Sequence, residues 1–192
     1  MNHKGTKTLE TERLVLRRNK EEDLLSVFNV LKDDNIRRWY ATCRMGENLE
    51  KDLCYLSKQL KKYRNLDFYR WSIIRKRDNK FLGMINIIEK EGYVGDVKDI
   101  GWYITKEEQE KGYAYEAVRE VLKYLFEEIQ LGAIETSAAI NNPALFKLME
   151  KLGMKKRNSE PKPFTCYYGD DTLINEYGIT INEYREIIAQ HK

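Results

Sequence analysis

The residues with the clearest chemical potential form a short glycine-containing loop between an apolar strand and an amphipathic helix. The strand pattern covers Ile100 to Ile104, and the loop reads Gln109-x-x-Gly112-x-Ala114. The first turn of a helix carries unpaired N–H groups and the positive end of the helix dipole, about half a charge, so it can hold an anion without a basic side chain. Glycine lets the backbone approach a ligand closely. The loop therefore predicts an anion site, although a glycine before a helix is often only a turn.

Other reactive side chains are scarce. The two histidines, His3 and His191, lie near the ends of the chain, and the three cysteines, Cys43, Cys54 and Cys166, are far apart without metal-ligand spacing. We therefore expect no metal site, no histidine base and no Cys–His pair. Acid–base chemistry must come from carboxylates, tyrosines, backbone groups or water.

Strand and helix patterns alternate along the chain in a way that predicts one α/β domain. We expect residues 1–8 to be a loose tail and residues 9–192 to form a single domain. Asn19 is predicted to cap the first helix, with Glu22 bonding back to the cap. Thr180 and Glu183 have the spacing of a capping box and predict a closing helix.

The composition limits the partners. The chain has 192 residues, 42% of them hydrophobic, and a net charge of +3, which is too small to indicate nucleic acid binding. No apolar run reaches the roughly 20 residues that span a bilayer, and the polar start lacks the apolar centre of a signal peptide. We expect a cytoplasmic protein with no nucleic acid or membrane partner, either a monomer or a homodimer.

Four phrases give the chain a resemblance to the GCN5-related N-acetyltransferase (GNAT) superfamily. The Gln109 to Ala114 loop resembles its pyrophosphate-binding signature, and TERLVLR, the Asn142 helix and YGIT resemble its ribosomal-protein acetyltransferase branch. The Asn142 helix matches that branch's second fingerprint at Asn142, Ala144, Leu148, Glu150, Lys151, Leu152 and Gly153. Asn142 before Pro143 is also explained as an ordinary helix cap.

The resemblance implies a fold, an activity and a cofactor. The fold would be α/β (α+β), with a mixed central sheet of six to seven strands splayed between the fourth and fifth strands and helices on both faces. The activity would be transfer of an acetyl group from acetyl-CoA to a primary amine. The cofactor's pyrophosphate would bind the loop formed by Gln109, Glu110, Lys111, Gly112, Tyr113 and Ala114. Its pantetheine would lie along Tyr103, Ile104 and Thr105, and further contacts would come from Asn142, Ala144 and Lys147.

The resemblance also suggests residues for the acceptor and for proton transfer. Asp99 is predicted as the base that deprotonates the amine, with Glu135 and Glu160 as alternatives. Tyr103 is predicted as a catalytic proton donor, with Tyr113 or an unassisted departure of the thiolate as alternatives. The resemblance also places the acceptor against Trp39, Tyr40 and Arg44.

Three residues depart from the family pattern. Leu145 stands where the branch has a serine, Met149 stands where other branches have a tyrosine acid, and Glu110 replaces the usual glycine of the loop. They keep open a non-catalytic domain that binds CoA or another anion as a sensor. Transfer of another acyl group, such as succinyl, also stays open, and the acceptor is either a protein N-terminus or a small amine such as a polyamine or aminoglycoside.

Overall fold

A computed structural model describes residues 2–34, 36, 48–89, 96–165 and 171–190 of the chain. The strands are β1 (Leu9–Glu10), β2 (Leu14–Arg17), β3 (Tyr69–Arg75), β4 (Lys80–Glu89), β5 (Val97–Ile104), β6 (Ala133–Ala139), β7 (Lys155–Lys156), β8 (Lys162–Thr165) and β9 (Asp171–Thr180). The α-helices are α1 (Leu24–Leu31), α2 (Leu49–Leu60), α3 (Tyr113–Lys123), α4 (Pro143–Lys151) and α5 (Ile181–Gln190). A π-helical segment, Tyr124–Ile129, continues α3.

The strands form one mixed sheet. Across the described residues its order is β1-β2-β3-β4-β5-β6-β9-β7, with β8 paired to β9, and the neighbours are antiparallel except for β5 and β6. The nine strands include two with only two residues each, β1 and β7. Without β1, the parallel pair lies at the fourth and fifth positions, which confirms the predicted place of the splay.

Helices cover both faces of the sheet, as the predicted fold class requires. On one face, α3 buries an apolar stripe that includes Ala117, Val118 and Val121, all 0% exposed. On the other face, Leu24 and Leu31 of α1 and Leu56 of α2 pack against Met84 and Tyr103. The helical spacing read from the sequence therefore identifies the buried side of α3 correctly.

The segment before β1 lies against the body of the domain, in contrast to the loose tail expected from its polar sequence. Thr6 is 2% exposed, and its hydroxyl donates to the Phe68 carbonyl at 2.9 Å. The Trp71 indole N–H donates to the Lys7 carbonyl at 2.7 Å. The hydroxyl of Tyr124 donates to the Gly5 carbonyl at 2.7 Å. Residues distant in sequence provide these contacts, so composition alone did not indicate them.

The predicted cap at Asn19 is wrong. Asn19 is 9% exposed, and its side-chain oxygen accepts a hydrogen bond from the Tyr63 hydroxyl at 2.6 Å. A 3-10 turn, Glu21–Asp23, precedes α1 instead, and the Asp23 carboxylate accepts from the backbone N–H of Lys20 at 2.8 Å. Within the described residues, no helix is both long enough and apolar enough to cross a membrane.

Candidate active site

The candidate site lies where two parallel strands separate. Val97–Asp99 of β5 pair with Ala133–Glu135 of β6, and beyond these three residues the two strands diverge. The remainder of β5 stays paired with β4 on its other side, with Gly83 opposite Ile104. Because alternate backbone groups of an edge point away from the paired neighbour, β5 presents N–H and C=O groups to the gap.

A cleft of about 570 Å³ occupies this gap, a size typical of cofactor sites. Its walls come from the ends of β5 and β6, the loop before α3, one face of α4 along its whole length, and one residue each of β8 and β9. The lining includes Gly101, Trp102, Tyr103, Ile104, Glu108, Gln109, Glu110, Gly112, Tyr113, Ala114, Tyr115, Thr136, Ala139, Asn142, Ala144, Leu145, Leu148, Lys151, Phe164 and Ile174.

The loop before α3 ends in a left-handed turn at Gly112. Gly112 is the N-cap of α3 and has φ +81°, a left-handed conformation that L side chains rarely adopt. The Gln109 side chain donates to the Ile104 carbonyl at 3.0 Å and so ties the loop to the end of β5. Glu110 has φ +60°, which explains why glycine suits this position, and its side chain is exposed.

A buried carboxylate anchors this loop to the hairpin of β3 and β4. Glu108 is 4% exposed and accepts hydrogen bonds from Arg75 Nη1 at 2.8 Å, Lys80 Nζ at 2.8 Å and Lys111 Nζ at 3.0 Å. The hydrogen bonds from Lys80 and Lys111 lower the pKa of Glu108 to about 2. Lys111 also donates to the Glu107 carbonyl at 2.6 Å. Lys111, predicted as a cofactor contact, is therefore engaged in bracing the loop, outside the lining of the cleft.

A second brace connects the start of α3 to the beginning of β2. The Glu116 carboxylate accepts from Arg13 Nε at 2.6 Å and from the Thr11 hydroxyl at 2.5 Å. Burial raises the pKa of Glu116, but these hydrogen bonds outweigh it, and the pKa is lowered. Arg13 also stacks on Tyr113 at 4.5 Å and donates to the Lys111 carbonyl at 3.1 Å. Part of the TERLVLR phrase thus supports the anion loop from outside the cleft.

The start of α4 forms the opposite wall. The Asn142 side chain accepts from the backbone N–H of Leu145 at 3.2 Å, and Pro143 occupies the first turn, as the cap pattern predicts. Asn142 and Ala144 line the cleft, whereas Lys147 is exposed and outside the lining. The sequence reasoning missed Lys151 as a site residue, although it lies in the phrase that carried the resemblance and lines the cleft.

The predicted catalytic residues lie around the point where the strands separate. Asp99 and Glu135 are partners in the last parallel pair, outside the lining of the cleft. Tyr103 lines the cleft while its side chain, 5% exposed, packs with α1 and α2. Glu160 is exposed in the connection between β7 and β8 and does not line the cleft.

Not every predicted residue contributes to the cleft. Thr105, predicted to contact pantetheine, follows β5 and is also outside the lining; its hydroxyl is buried without a hydrogen-bond partner in the described structure. The predicted acceptor contacts, Trp39, Tyr40 and Arg44, lie outside the described residues.

These features define an α/β domain whose cleft has a helix N-terminus at one wall and an open strand edge beside it. A family model, the acetyltransferase (GNAT) domain, matches residues 13–155. The chain belongs to the GNAT acetyltransferase family.

Individual relatives agree with this assignment. The chain is 27% identical over 151 residues to the uncharacterized N-acetyltransferase YoaA of Bacillus subtilis, covering 77% of this chain and 82% of that protein. A GNAT-family acetyltransferase structure from Bacillus anthracis superposes with a TM-score of 0.75 at 23% identity, covering 92% and 99% of the two chains.

A spermidine N-acetyltransferase from Vibrio cholerae, solved in complex with CoA and spermine, gives a TM-score of 0.75 at 21% identity, covering 91% and 99% of the two chains. At these identities the structural matches show the fold. The assignment to the ribosomal-protein branch stays a prediction.

Proposed function

We propose that this protein transfers an acetyl group from acetyl-CoA to a primary amine, with both substrates bound together. The observation that carries the proposal is the cleft between β5 and β6, with the Gln109 to Ala114 loop on one wall and the Asn142 end of α4 on the other. The family uses acetyl-CoA, which supplies the thioester acetyl group when it is bound.

The chain's own groups fit such a cofactor. Gly112 and the first residues of α3 offer N–H groups to a diphosphate. The strand edge at Gly101 to Ile104 offers backbone groups to the amides of a pantetheine arm. An N–H of this strand would also stabilise the negative charge that develops on the acyl oxygen.

The acceptor would approach from the face of the sheet that α1 and α2 cover. Asp99 and Glu135 are paired on adjacent strands, and alternation along β5 puts Asp99 on the same face as Tyr103. We assign Asp99 as the base that accepts a proton from the acceptor ammonium, with Glu135 as the alternative. Tyr103 is the proposed proton donor to the leaving thiolate, because Leu145 has no exchangeable proton and Met149 is fully buried in the core.

The test is thiol release from acetyl-CoA with a panel of amines that includes spermidine, an aminoglycoside and peptides with free N-termini. Asp99→Asn should lower turnover and leave CoA affinity unchanged, since the base acts on the amine. Glu186→Gln is the matched control, because this carboxylate of α5 is exposed, does not line the cleft and is not a predicted base. Equal turnover in wild type and Asp99→Asn would remove Asp99 from the mechanism.

A second candidate function is a CoA-binding sensor domain without catalysis. The aliphatic side chain of Leu145 at the cleft favours it, since a proton donor is missing there. This function predicts that CoA raises the unfolding temperature while no amine in the panel releases thiol. One acetylated product identified by mass spectrometry would exclude it.

A further inference from the structure

We propose that the acceptor amine also carries a carboxylate, as a small amino acid does, and that Arg70 binds this carboxylate. The inference names the acceptor class for the proposed function and rests on that function. It starts from a half-buried guanidinium on the sheet face where the acceptor is proposed to bind.

The charge of Arg70 is not compensated in the way that other withdrawn arginines are. Arg17 donates to both oxygens of Asp23, at 2.6 and 3.0 Å. Arg75 donates to Glu108 at 2.8 Å. Arg70 Nε, by contrast, is buried without a hydrogen-bond partner, and its guanidinium has no ion-pair partner in the described part of the chain. Because a buried charge is costly unless it is paired, a ligand is the expected source of the missing anion.

Local contacts fix the position of Arg70. Its Cζ lies 5.2 Å from the centroid of the Phe68 ring. Its backbone N–H donates to the Thr6 hydroxyl at 3.0 Å, and its carbonyl accepts from the Tyr63 hydroxyl at 3.0 Å. A cavity of about 10 Å³, lined by Arg70, Tyr63 and Asn19, has room for about one water. A water can hydrogen-bond the guanidinium but cannot neutralise its charge.

The sheet register connects Arg70 to the cleft. Arg70 pairs with Asn86 of β4, and Asn86 pairs with Gly101 of β5, which lines the cleft. Side chains alternate along a strand, so these residues share the face on which Met84 and Tyr103 pack against α1 and α2. Neighbouring strands are about 4.8 Å apart, so the backbones of β3 and β5 are about 10 Å apart here. An arginine side chain and a small ligand can bridge this distance together.

The opposite charge lies further along the same face. Asp99 and Glu135, the carboxylates proposed to receive the ammonium proton, are paired on β5 and β6. Ile88, opposite Asp99 on β4, is 46% exposed, so this part of the sheet face is open to a ligand. A ligand here would have carboxylates at one end and the Arg70 guanidinium at the other. An amino acid matches both ends, whereas a polyamine would bring a second cation towards Arg70.

Asn86 is the second donor to the carboxylate. It lies between Arg70 and Gly101 in the register. Its Oδ1 is buried without a hydrogen-bond partner in the described structure, so its contacts with a ligand are left to the Nδ2 donors. Amide and guanidinium N–H groups side by side suit a carboxylate, which accepts several hydrogen bonds at once.

The experiment compares glycine, leucine and 4-aminobutyrate with their carboxamides as acceptors, in wild type and Arg70→Gln. Thiol release from acetyl-CoA should give the acids a kcat/KM at least about tenfold above that of the amides, equivalent to 1.4 kcal/mol. This preference opposes intrinsic reactivity, because an α-amide makes the amine less basic and so more of it is unprotonated. In Arg70→Gln the KM for the acids should rise about tenfold, while kcat and the values for the amides stay unchanged.

Arg64→Gln is the matched control, since Arg64 is an exposed arginine at the end of the 3-10 turn after α2. It should treat all acceptors like wild type. Arg70→Lys should recover only part of the affinity, because it keeps the charge and loses the planar fork. A merely structural Arg70 would lower the unfolding temperature and affect acids and amides equally. We expect Arg70→Gln to unfold at or above the wild-type temperature, because it removes an uncompensated charge.

Calorimetric titration of leucine in the presence of CoA tests the site without turnover. Leucine binding that Arg70→Gln weakens, with no thiol release from any acceptor, would support the carboxylate site and refute the acetyltransferase proposal. Thiol release with amides or spermidine equal to or above that with the acids would overturn the inference and leave the acetyltransferase proposal intact. An unchanged KM for the acids in Arg70→Gln would overturn it in the same way. Neither leucine binding nor thiol release in wild type would refute both.

Discussion

Gly112→Ala tests whether the left-handed turn before α3 shapes the anion site. Gly112 has φ +81°, and a Cβ built there would meet only Arg13 Nη2, at 3.4 Å. This distance is an ordinary contact at its lower limit, so the substitution introduces no serious clash. Its effect should therefore come from backbone conformation.

The size of the effect follows from two opposing terms. A left-handed conformation costs a non-glycine residue about 1–2 kcal/mol. Alanine recovers about 0.4–1 kcal/mol, because it has less conformational freedom than glycine in the unfolded chain. The net loss of stability is about 1 kcal/mol, or roughly 2–4 °C in Tm for a domain of this size. If the loop relaxes and must regain its shape to bind, the same 1 kcal/mol weakens CoA about fivefold.

Thermal unfolding and calorimetric titration with CoA measure the two effects separately, and Gly5→Ala is the matched control. Gly5 has φ +71°, and its Cβ would meet Leu66 and Arg18 atoms at 3.6–3.7 Å, far from the cleft. Gly5→Ala should lose similar stability while binding CoA like wild type. CoA affinity in Gly112→Ala equal to that in Gly5→Ala would refute the role of the left-handed turn in the site.

Three further predictions concern the supports of the fold and the loop. In Gly83→Ala the new Cβ would lie 2.0 Å from the Tyr103 carbonyl oxygen, so β4 and β5 must separate. We expect the free energy of unfolding measured in urea to fall by about 2–3 kcal/mol. An unchanged urea midpoint would contradict this close approach. Hydrogen bonding from Arg157 lowers the pKa of Glu183 from 4.5 to about 2. The stabilisation by the Glu183 carboxylate is therefore complete above pH 4.5 and lost as the pH falls towards 2. Between pH 7 and 2 the free energy of unfolding should fall less steeply in Glu183→Gln than in wild type. Identical pH dependences in the two proteins would refute this role of Glu183. Glu116→Gln removes the charged partner of Arg13 and should cost about 1–2 kcal/mol in thermal unfolding, whereas Glu120→Gln on the same helix serves as control.

Local patterns were predicted well where all partners lie within one turn or one helix. Thr180 and Glu183 form the predicted capping box: the Thr180 N–H donates to Glu183 at 2.8 Å, and the Glu183 N–H donates to the Thr180 hydroxyl at 3.2 Å. The cap at Asn19 failed because its partner, Tyr63, is 44 residues away in sequence. A polar side chain near a helix start is equally suited to both roles, and only packing selects one.

The candidate site likewise has some features that are local in sequence and others that depend on residues far apart in the chain. The order of strand, loop and helix around Gly112 is local, since it needs a residue that tolerates positive φ before an apolar helical stripe. The engagement of Lys111 with Glu108 is not local, because it depends on Arg75 and Lys80 from the neighbouring hairpin closing around the same carboxylate.

The sequence by itself predicted the main helices and strands, because periodicity and capping act over a few residues, and its four motif phrases carried the resemblance to the family. Only the tertiary structure decided which lysine of α4 reaches the cleft. Lys147 and Lys151 share a helical stripe, and their spacing cannot tell which turn faces α3. The position of α4 relative to Tyr115 makes that choice, since a side chain reaches only the groups that packing brings within its length.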